Sequence, residues 1–363
     1  MKRGIKVLVV DDSSVTRTLL VQLLNSDPGM QVIGAVDNGR AALDFLDTGN
    51  MPDVVLMDIH MPHLDGFETT RRIMETRPVP IIICTATSDP TELAVTFRSM
   101  EAGAVACVEK PVALGADFEA KRQNLLQTTR LMSEVKVVRR WSRLRNAAPA
   151  THDTSTAAGS AATRSNGHAI TLIGIGASTG GPPVLQTILS RLPKDFPVPL
   201  LIVQHIAHGF LPGMVDWLNQ TTGLRVHIAS HGTTPLGGHV YVAPDDFHLG
   251  VGSGGHLVLT RDPPEAGLRP AVSHLFRSLA QVCGARGVGV LLTGMGKDGS
   301  AELKRMRDLG AYTIAQDRES SVVHGMPGEA IALGAATQIL PADKIADALI
   351  AHVSRGRTAA GDT

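Results

Sequence analysis

Aromatic residues are scarce in this chain, with two Trp, two Tyr and eight Phe among 363 residues. Cysteine is scarcer still. Cys84, Cys107 and Cys283 are far apart and odd in number, and no Cys-x-x-Cys occurs, which argues against a zinc ribbon or a disulfide scaffold. Net charge is absent too. Lys and Arg number 34, as do Asp and Glu, so no general nucleic-acid or membrane-surface binder is indicated. No apolar run approaches the roughly 18 residues of a membrane span, which excludes direct membrane insertion by such a segment. Met1-Lys2-Arg3 begins like a secretory leader, but the apolar run after it stops at Asp11-Asp12, too early for a leader's apolar core. The expected location is therefore cytoplasmic. The length predicts two or three globular domains, at roughly 150 residues each.

What the chain has is glycine, 37 residues in all, and one glycine-rich stretch organises the rest. Residues 170–181 read Ile-Thr-Leu-Ile-Gly-Ile-Gly-Ala-Ser-Thr-Gly-Gly, followed by Pro182-Pro183-Val184-Leu185. This reads as a strand, a tight turn and a helix whose first turn tolerates proline. Ser178 lies in a Gly-x-Ser-x-Gly spelling, which pushes a nucleophilic hydroxyl out at a strand's carboxyl end. The helix that follows aims free N–H groups at the same place. Two other readings stand beside this one. Gly174, Gly176 and Gly180 resemble a dinucleotide fingerprint, which wants an acidic residue after the next strand, yet that strand ends in Gln204-His205. A glycine turn serving close packing alone is the other.

Toward the amino terminus, apolar runs alternate with helical patterns. Ile5 to Val10, Val32 to Val36, Pro52 to Asp58, Ile81 to Thr85 and Ala104 to Glu109 read as five strands of a doubly wound parallel sheet. Sites in such sheets lie at strand carboxyl ends. Asp11, Asp12 and Asp58 stand at the ends of the first and third strands, Thr85 at the fourth and Lys110 at the fifth. Crowded carboxylates repel each other, and a hard divalent cation such as Mg²⁺ would offset that. One such Asp alone would be read as a helix cap. Five such residues on one sheet edge point to a site.

Residues 4 to 125 resemble the response-regulator receiver family in Val-Val-Asp11-Asp12-Ser, Met-Asp58-Ile-His-Met-Pro-His-Leu-Asp-Gly66, Cys-Thr85-Ala and Glu-Lys110-Pro111. The resemblance implies Mg²⁺ at Asp11, Asp12 and Asp58, phosphorylation of Asp58 by a histidine kinase, and phosphoryl contacts from Thr85 and Lys110. Cys107 stands where many receivers carry an aromatic residue.

Residues 119 to 145 read as one helix with a basic end, Arg130, Lys136, Arg139, Arg140, Arg143 and Arg145, suited to a solvated face or an acidic partner. Residues 147 to 167 are Ala, Ser, Thr, Gly and Asn, with almost no large apolar residue, a flexible linker between domains.

Beyond Ser178, Pro199 to Val203 is a buried strand leading to His205, and Val288 to Leu292 another leading to Thr293-Gly-Met295-Gly-Lys-Asp298. Residues 239 to 260 read as an antiparallel excursion. In a parallel sheet Ser178, His205 and Asp298 share one edge, as nucleophile, base and orienter must. A metal pair of His205 with His208 lacks an evident third ligand, and Asp298 could simply cap its helix.

These words, with Tyr241-Val-Ala-Pro-Asp-Asp, Arg269-Pro270, Ala315-Gln-Asp317 and Ser321-Val-Val-His-Gly-Met-Pro327, resemble the CheB-type chemotaxis protein-glutamate methylesterase family. His324 and Ser300-Ala301-Glu302 depart from the family's usual spelling. The resemblance implies Ser178, His205 and Asp298 as catalytic triad, with the backbone N–H groups of Thr179 and Met295 as oxyanion hole. It implies a receiver over 1–125, a helix end and linker over 126–168 and a catalytic domain over 169–357. The implied function is phosphorylation-activated hydrolysis of glutamate γ-methyl esters on the cytoplasmic domain of a chemoreceptor, with glutamine deamidation as a side activity. The implied cofactor is Mg²⁺ in the receiver and none in the catalytic domain. A binding protein with an idle catalytic fold and a nucleotide-binding effector domain are the competing classes. The expected fold is α/β, with a five-stranded parallel receiver sheet and a larger, mostly parallel sheet bearing an antiparallel excursion.

Overall fold

The structure, a computed structural model, describes residues 4–85, 97, 99–100, 102–112, 118–135, 137 and 171–361. The linker anticipated at 147–167, and most of the basic run before it, lie outside the described residues.

In the amino-terminal part, strands β1 (Ile5–Val10), β2 (Met30–Val36), β3 (Val54–Met57), β4 (Ile81–Thr85) and β5 (Ala106–Glu109) form one parallel sheet in the order β2-β1-β3-β4-β5. The helices with described bounds are α1 (Ser14–Asn25), α2 (Gly39–Asp47), α3 (Gly66–Thr76) and α4 (Phe118–Met132). Each of the first three starts at a residue whose side chain accepts a hydrogen bond from the first turn: Ser13, Asn38 and Asp65. Helix α4 ends at Met132, well short of the 145 expected, where Ser133 and Glu134 close a turn ahead of the β-branched Val135. Both sheet faces are covered by apolar side chains, Leu20, Leu24 and Leu125 on one and Leu46, Ile73 and Met74 on the other.

The carboxyl-terminal part is a seven-stranded sheet with a separate hairpin. Its elements are β6 (Leu172–Ala177), α5 (Gly181–Leu189), β7 (Leu200–Gln204), α6 (Leu211–Thr222), β8 (Arg225–Ile228), β9 (His239–Val242), β10 (His248–Val251), β11 (Leu257–Thr260), α7 (Val272–Val282), β12 (Gly287–Leu291), α8 (Ser300–Asp308), β13 (Tyr312–Gln316), α9 (Met326–Ala332), β14 (Gln338–Leu340) and α10 (Ala342–Gly361). The sheet order is β14-β13-β12-β6-β7-β9-β8, and every pairing in it is parallel. Among the strands of the described residues only β10 and β11 pair antiparallel, so the antiparallel excursion begins at His248. The run from His239, expected to belong to it, instead lies between β7 and β8 in the main sheet, where Val240, Tyr241 and Val242 are all buried; the alternation of residue type along it says nothing of strand direction.

Two glycines of the organising stretch belong to β6 and not to the turn. A Cβ on Gly174 would sit 2.3 Å from Leu279, and one on Gly176 would sit 2.3 Å from Val272. Their bare backbone lets α7 lie directly on the strand. Close packing thus explains these two glycines without a nucleotide. β6 is central, with β12 on one side and β7 on the other, so chain order reverses here, where open α/β sheets place their ligands. No helix among the described residues is long and apolar enough to cross a membrane.

Candidate active site

The three central strands β12, β6 and β7 deliver Asp298, Ser178 and His205 to one edge. Ser178 follows β6 directly, and its N–H donates to Thr293 O at 3.0 Å. Gly294 permits this approach, since a Cβ there would lie 2.6 Å from the Ser178 Cβ. His205 follows β7, its N–H donating to Ala177 O at 2.9 Å. The His205 Nε2 lies 3.0 Å from Asp298 Oδ2, with the side chains 11% and 6% exposed. Among the described residues no hydrogen bond joins Ser178 to the imidazole. With Nε2 turned to Asp298, Nδ1 is the nitrogen left for the serine proton.

Asp298 does more than meet the histidine. It does not cap its own helix, where Gly299 is the capping residue. Its Oδ2 accepts from Val272 N at 2.6 Å and its Oδ1 from Ser273 N at 2.9 Å, the first two amides of α7. Burial pushes its pKa up, but the His205 and Ser273 interactions outweigh that and hold it below the ordinary carboxylate range. Asp298 is thus an anion fixed at a helix N-terminus.

The loops beside Ser178 are tied to each other by Thr293. Its hydroxyl donates toward Thr179 O (3.0 Å) or Val323 O (3.2 Å) and accepts from Val323 N (2.9 Å). Among the described residues the amides of Thr179 and Met295 donate to no protein acceptor, which leaves both able to face an oxyanion. The alternative of a His205–His208 metal pair fails on geometry: His208 turns away to the surface, 3.7 Å from Asp246.

Residues from the amino-terminal sheet close over this edge. A cavity of ≈ 340 Å³ is lined by Ser178, Thr179 and His205 on one side and by Met100, Cys107 and Thr128 on the other. Phe97, fully buried, stacks on Trp217 of α6 with centroids 5.8 Å apart, and Gln127 of α4 reaches the Met295 sulfur at 3.8 Å.

The second anticipated cluster forms at the carboxyl edge of the five-stranded sheet. Oxygens of Asp11, Asp12 and Asp58 lie within 4.8 Å of one another. Lys110 Nζ stands 2.8 Å from Asp11 Oδ2 and 3.0 Å from Asp58 Oδ1. Thr85 is buried, and its carbonyl accepts from Lys110 N at 2.8 Å. Burial raises the Asp58 pKa, and Lys110 only partly offsets it. Lys110 is itself raised, because bonds to Asp11 and Asp58 outweigh its desolvation. The two directions agree once the sharing is counted: the lysine has two carboxylates, each carboxylate half a lysine. Three carboxylates against one lysine, all oxygen donors, fit a hard divalent cation.

Sequence spacing gives no sign of a third group, His248, Glu265 and His274. Its atoms are engaged already. Ala271 N donates to His248 Nδ1 and His248 Nε2 contacts Pro263 O, each at 3.2 Å, while Arg277 holds both Glu265 oxygens at 2.9 and 2.7 Å. These residues brace the segment that enters α7.

Comparison with known proteins gives a consistent picture. The family model described as CheB methylesterase matches residues 173–349, and that of the response regulator receiver domain matches residues 7–119. A protein-glutamate methylesterase/protein-glutamine glutaminase of Nitrosospira multiformis is 51% identical over 98% of this chain and 99% of its own length. A relative of the same description in Geobacter metallireducens is 52% identical over 95% of this chain and 98% of its own. The crystal structure of the Thermotoga maritima CheB methylesterase catalytic domain is 39% identical, covering 50% of this chain and 98% of that one, with a TM-score of 0.49.

Proposed function

The chain belongs to the CheB methylesterase family, with a response-regulator receiver domain ahead of the catalytic one, and on that premise we propose how its site works and how it is controlled. Its activity is that of a carboxylic ester hydrolase, a protein-glutamate methylesterase of chemotaxis adaptation. Its architecture supports interaction with a chemoreceptor and a cognate histidine kinase. The receiver spans 1–125, a helix end and linker 126–168, and the catalytic domain 169–357.

Ser178 Oγ attacks the ester carbonyl carbon of a methylated glutamate while His205 Nδ1 takes the hydroxyl proton. The carbonyl oxygen becomes an oxyanion facing the Thr179 and Met295 amides. The intermediate collapses, the C–O bond to methoxide breaks, and His205 returns its proton to release methanol. Water then repeats the sequence on the acyl-serine and frees the glutamate carboxylate and Ser178. Asp298 keeps the imidazole oriented throughout and stabilises its charged form. A glutamine amide passes through the same tetrahedral intermediate and leaves as ammonia.

In the receiver, Asp11, Asp12 and Asp58 would hold Mg²⁺, which when bound offsets charge on a phosphoryl group. Asp58 is the phosphoacceptor, and Thr85 and Lys110 meet the phosphoryl oxygens. The observation that carries this reading is the convergence of Ser178, His205 and Asp298 on one strand edge, with the His205–Asp298 contact at 3.0 Å and Asp298 anchored to α7. The test is methanol release from methylated chemoreceptor, with and without acetyl phosphate. Ser178→Ala should stay folded and lose essentially all release. Retention of more than about a tenth of wild-type turnover would remove Ser178 from the nucleophile's role.

A further inference from the structure

We infer that Gln204 is a positioning residue for catalysis, fixing the backbone that carries the nucleophile to the backbone that carries the base; this rests on the serine-hydrolase reading above. Gln204 ends β7 and is 4% exposed. Its Nε2 donates to Ser178 O at 2.8 Å and to His205 O at 2.8 Å. Both amide hydrogens are thus spent on the main chains of the two residues that must exchange a proton. The assignment of nitrogen and oxygen follows from the partners, since the amide oxygen would face two carbonyl oxygens.

The clamp has a specific mechanical place. Ser178 O also accepts from Gly181 N at 2.8 Å, which closes the turn. The Gln204 amide supplies that carbonyl's second bond and links the turn across to His205. No side-chain hydrogen bond between Ser178 and His205 does this among the described residues, so their separation is set by main chain. Among the described residues Gln204 Oε1 has no hydrogen-bond partner, and it lies against Gly181, where a Cβ would stand 2.1 Å away. A glutamine held with a buried, unpartnered oxygen is unfavourable for stability alone. The two donor bonds at the catalytic residues give it a purpose. Gln204 touches neither the reacting carbonyl nor the leaving group in this scheme, so its loss should lower kcat and leave KM, set by contacts with the large receptor, nearly unchanged.

The experiment uses the full chain with acetyl phosphate, and methylated chemoreceptor as substrate. Gln204→Met keeps length and removes both donors. Gln204→Glu keeps shape, and when ionised it turns an anion toward two carbonyls. Gly181→Ala displaces the same side chain from its oxygen side. Each should lower kcat about tenfold to a hundredfold, the scale of a small misplacement of reacting groups, with KM within about twofold. Labelling of Ser178 by a small fluorophosphonate should slow in step, and that readout needs no receptor. A buried glutamate has a raised pKa, and its protonated form offers one O–H donor. The turnover ratio of Gln204→Glu to wild type should therefore rise as pH falls from 8 to 6, whereas a purely structural defect in Gln204→Met gives a ratio flat with pH. Wild-type kcat and labelling in folded Gln204→Met would overturn the inference, as would a rise in KM at unchanged kcat. Should Gln204→Met fail to fold, Gly181→Ala and the pH ratio decide in the same two directions. If wild type is labelled at Ser178 yet releases no methanol, the ester substrate is wrong, and labelling rates alone judge Gln204.

Discussion

Lys110 holds two buried carboxylates at once, Asp11 at 2.8 Å and Asp58 at 3.0 Å, and that sets what its removal does. Lys110→Ala would leave two anions facing each other in a buried site. Breaking a buried ion pair from one side costs about 3–5 kcal/mol. The receiver's melting temperature should fall by roughly 10 °C or more. Excess Mg²⁺ should recover more of that loss than it adds to wild type, because the cation replaces the missing charge. A melting curve that ignores both the substitution and Mg²⁺ would show that the cluster is neutralised in another way. These residues were legible in the sequence because each follows a strand directly, Asp11 and Asp58 as the first polar residue after an apolar run and Lys110 after Glu109, and strand ends share an edge. Gln204 and Thr293 were not legible. They too follow buried strands, but their role depends on which carbonyls the neighbouring loops present, and nothing local encodes that.

Helix α7 is the element with the weakest start signal in the sequence, and it governs Asp298. Its capping position is Ala271, with no side-chain cap, so no start signal stands before Val272. The cap comes instead from Asp298, 26 residues away in sequence, through Val272 N and Ser273 N. Ser273 returns the contact, its hydroxyl accepting from Gly299 N at 3.0 Å. In the proposed mechanism, catalytic orienter and helix cap are thus one carboxylate. Asp298→Asn should injure both roles. Loss of the triad carboxylate lowers kcat about 10³- to 10⁴-fold, and an amide N–H₂ turned toward helix amides lowers the melting temperature at pH 7. The sign of the pH dependence follows from the depressed pKa. An acid held below its ordinary value of 3.8 stabilises the fold above that value, and loses this as pH falls through the folded-state pKa. The melting-temperature gap between wild type and Asp298→Asn should therefore be constant at neutral pH and close below about pH 4. A gap that closes at pH 6 would assign the effect to a histidine. The antiparallel expectation for residues 239–242 failed at this scale too. A short strand can spell polar and apolar residues in turn whichever direction its neighbours run, and only the pairing with β7 and β8 decides.

At the scale of the whole molecule, the receiver surface and the catalytic edge share one cavity, and this carries the argument for control. An α-helix with its side chains is about 10–12 Å across, and Met100, Cys107 and Thr128 of the receiver line the same cavity as Ser178 and His205, so a receptor helix approaching from that side would meet them first. The arrangement is a closed one. Phe97 stacked on Trp217 and Gln127 on Met295 are contacts that an open arrangement would give up. Phosphorylation at Asp58, as proposed, would add nearly two negative charges beside a lysine already shared by two carboxylates, and this would favour any rearrangement that relieves the crowding. The shift toward open is bounded by how differently the phosphoryl group interacts with the two arrangements. Three outcomes are expected together. A fragment beginning near Ala169 should turn over methylated receptor faster than the unphosphorylated full chain. Phe97→Ala should raise basal turnover severalfold, because it removes the buried ring that stacks on Trp217 in the closed arrangement. Acetyl phosphate should activate wild type but not Asp58→Asn, and in a Trp141→Phe background it should change Trp217 fluorescence in wild type alone. Hydrolysis of a small ester that fits the cavity should respond to all three changes less than receptor demethylation does. If fragment and unphosphorylated full chain demethylate receptor at the same rate, closure does not limit access, and control must act through contact with the catalytic loops or through localisation at the receptor.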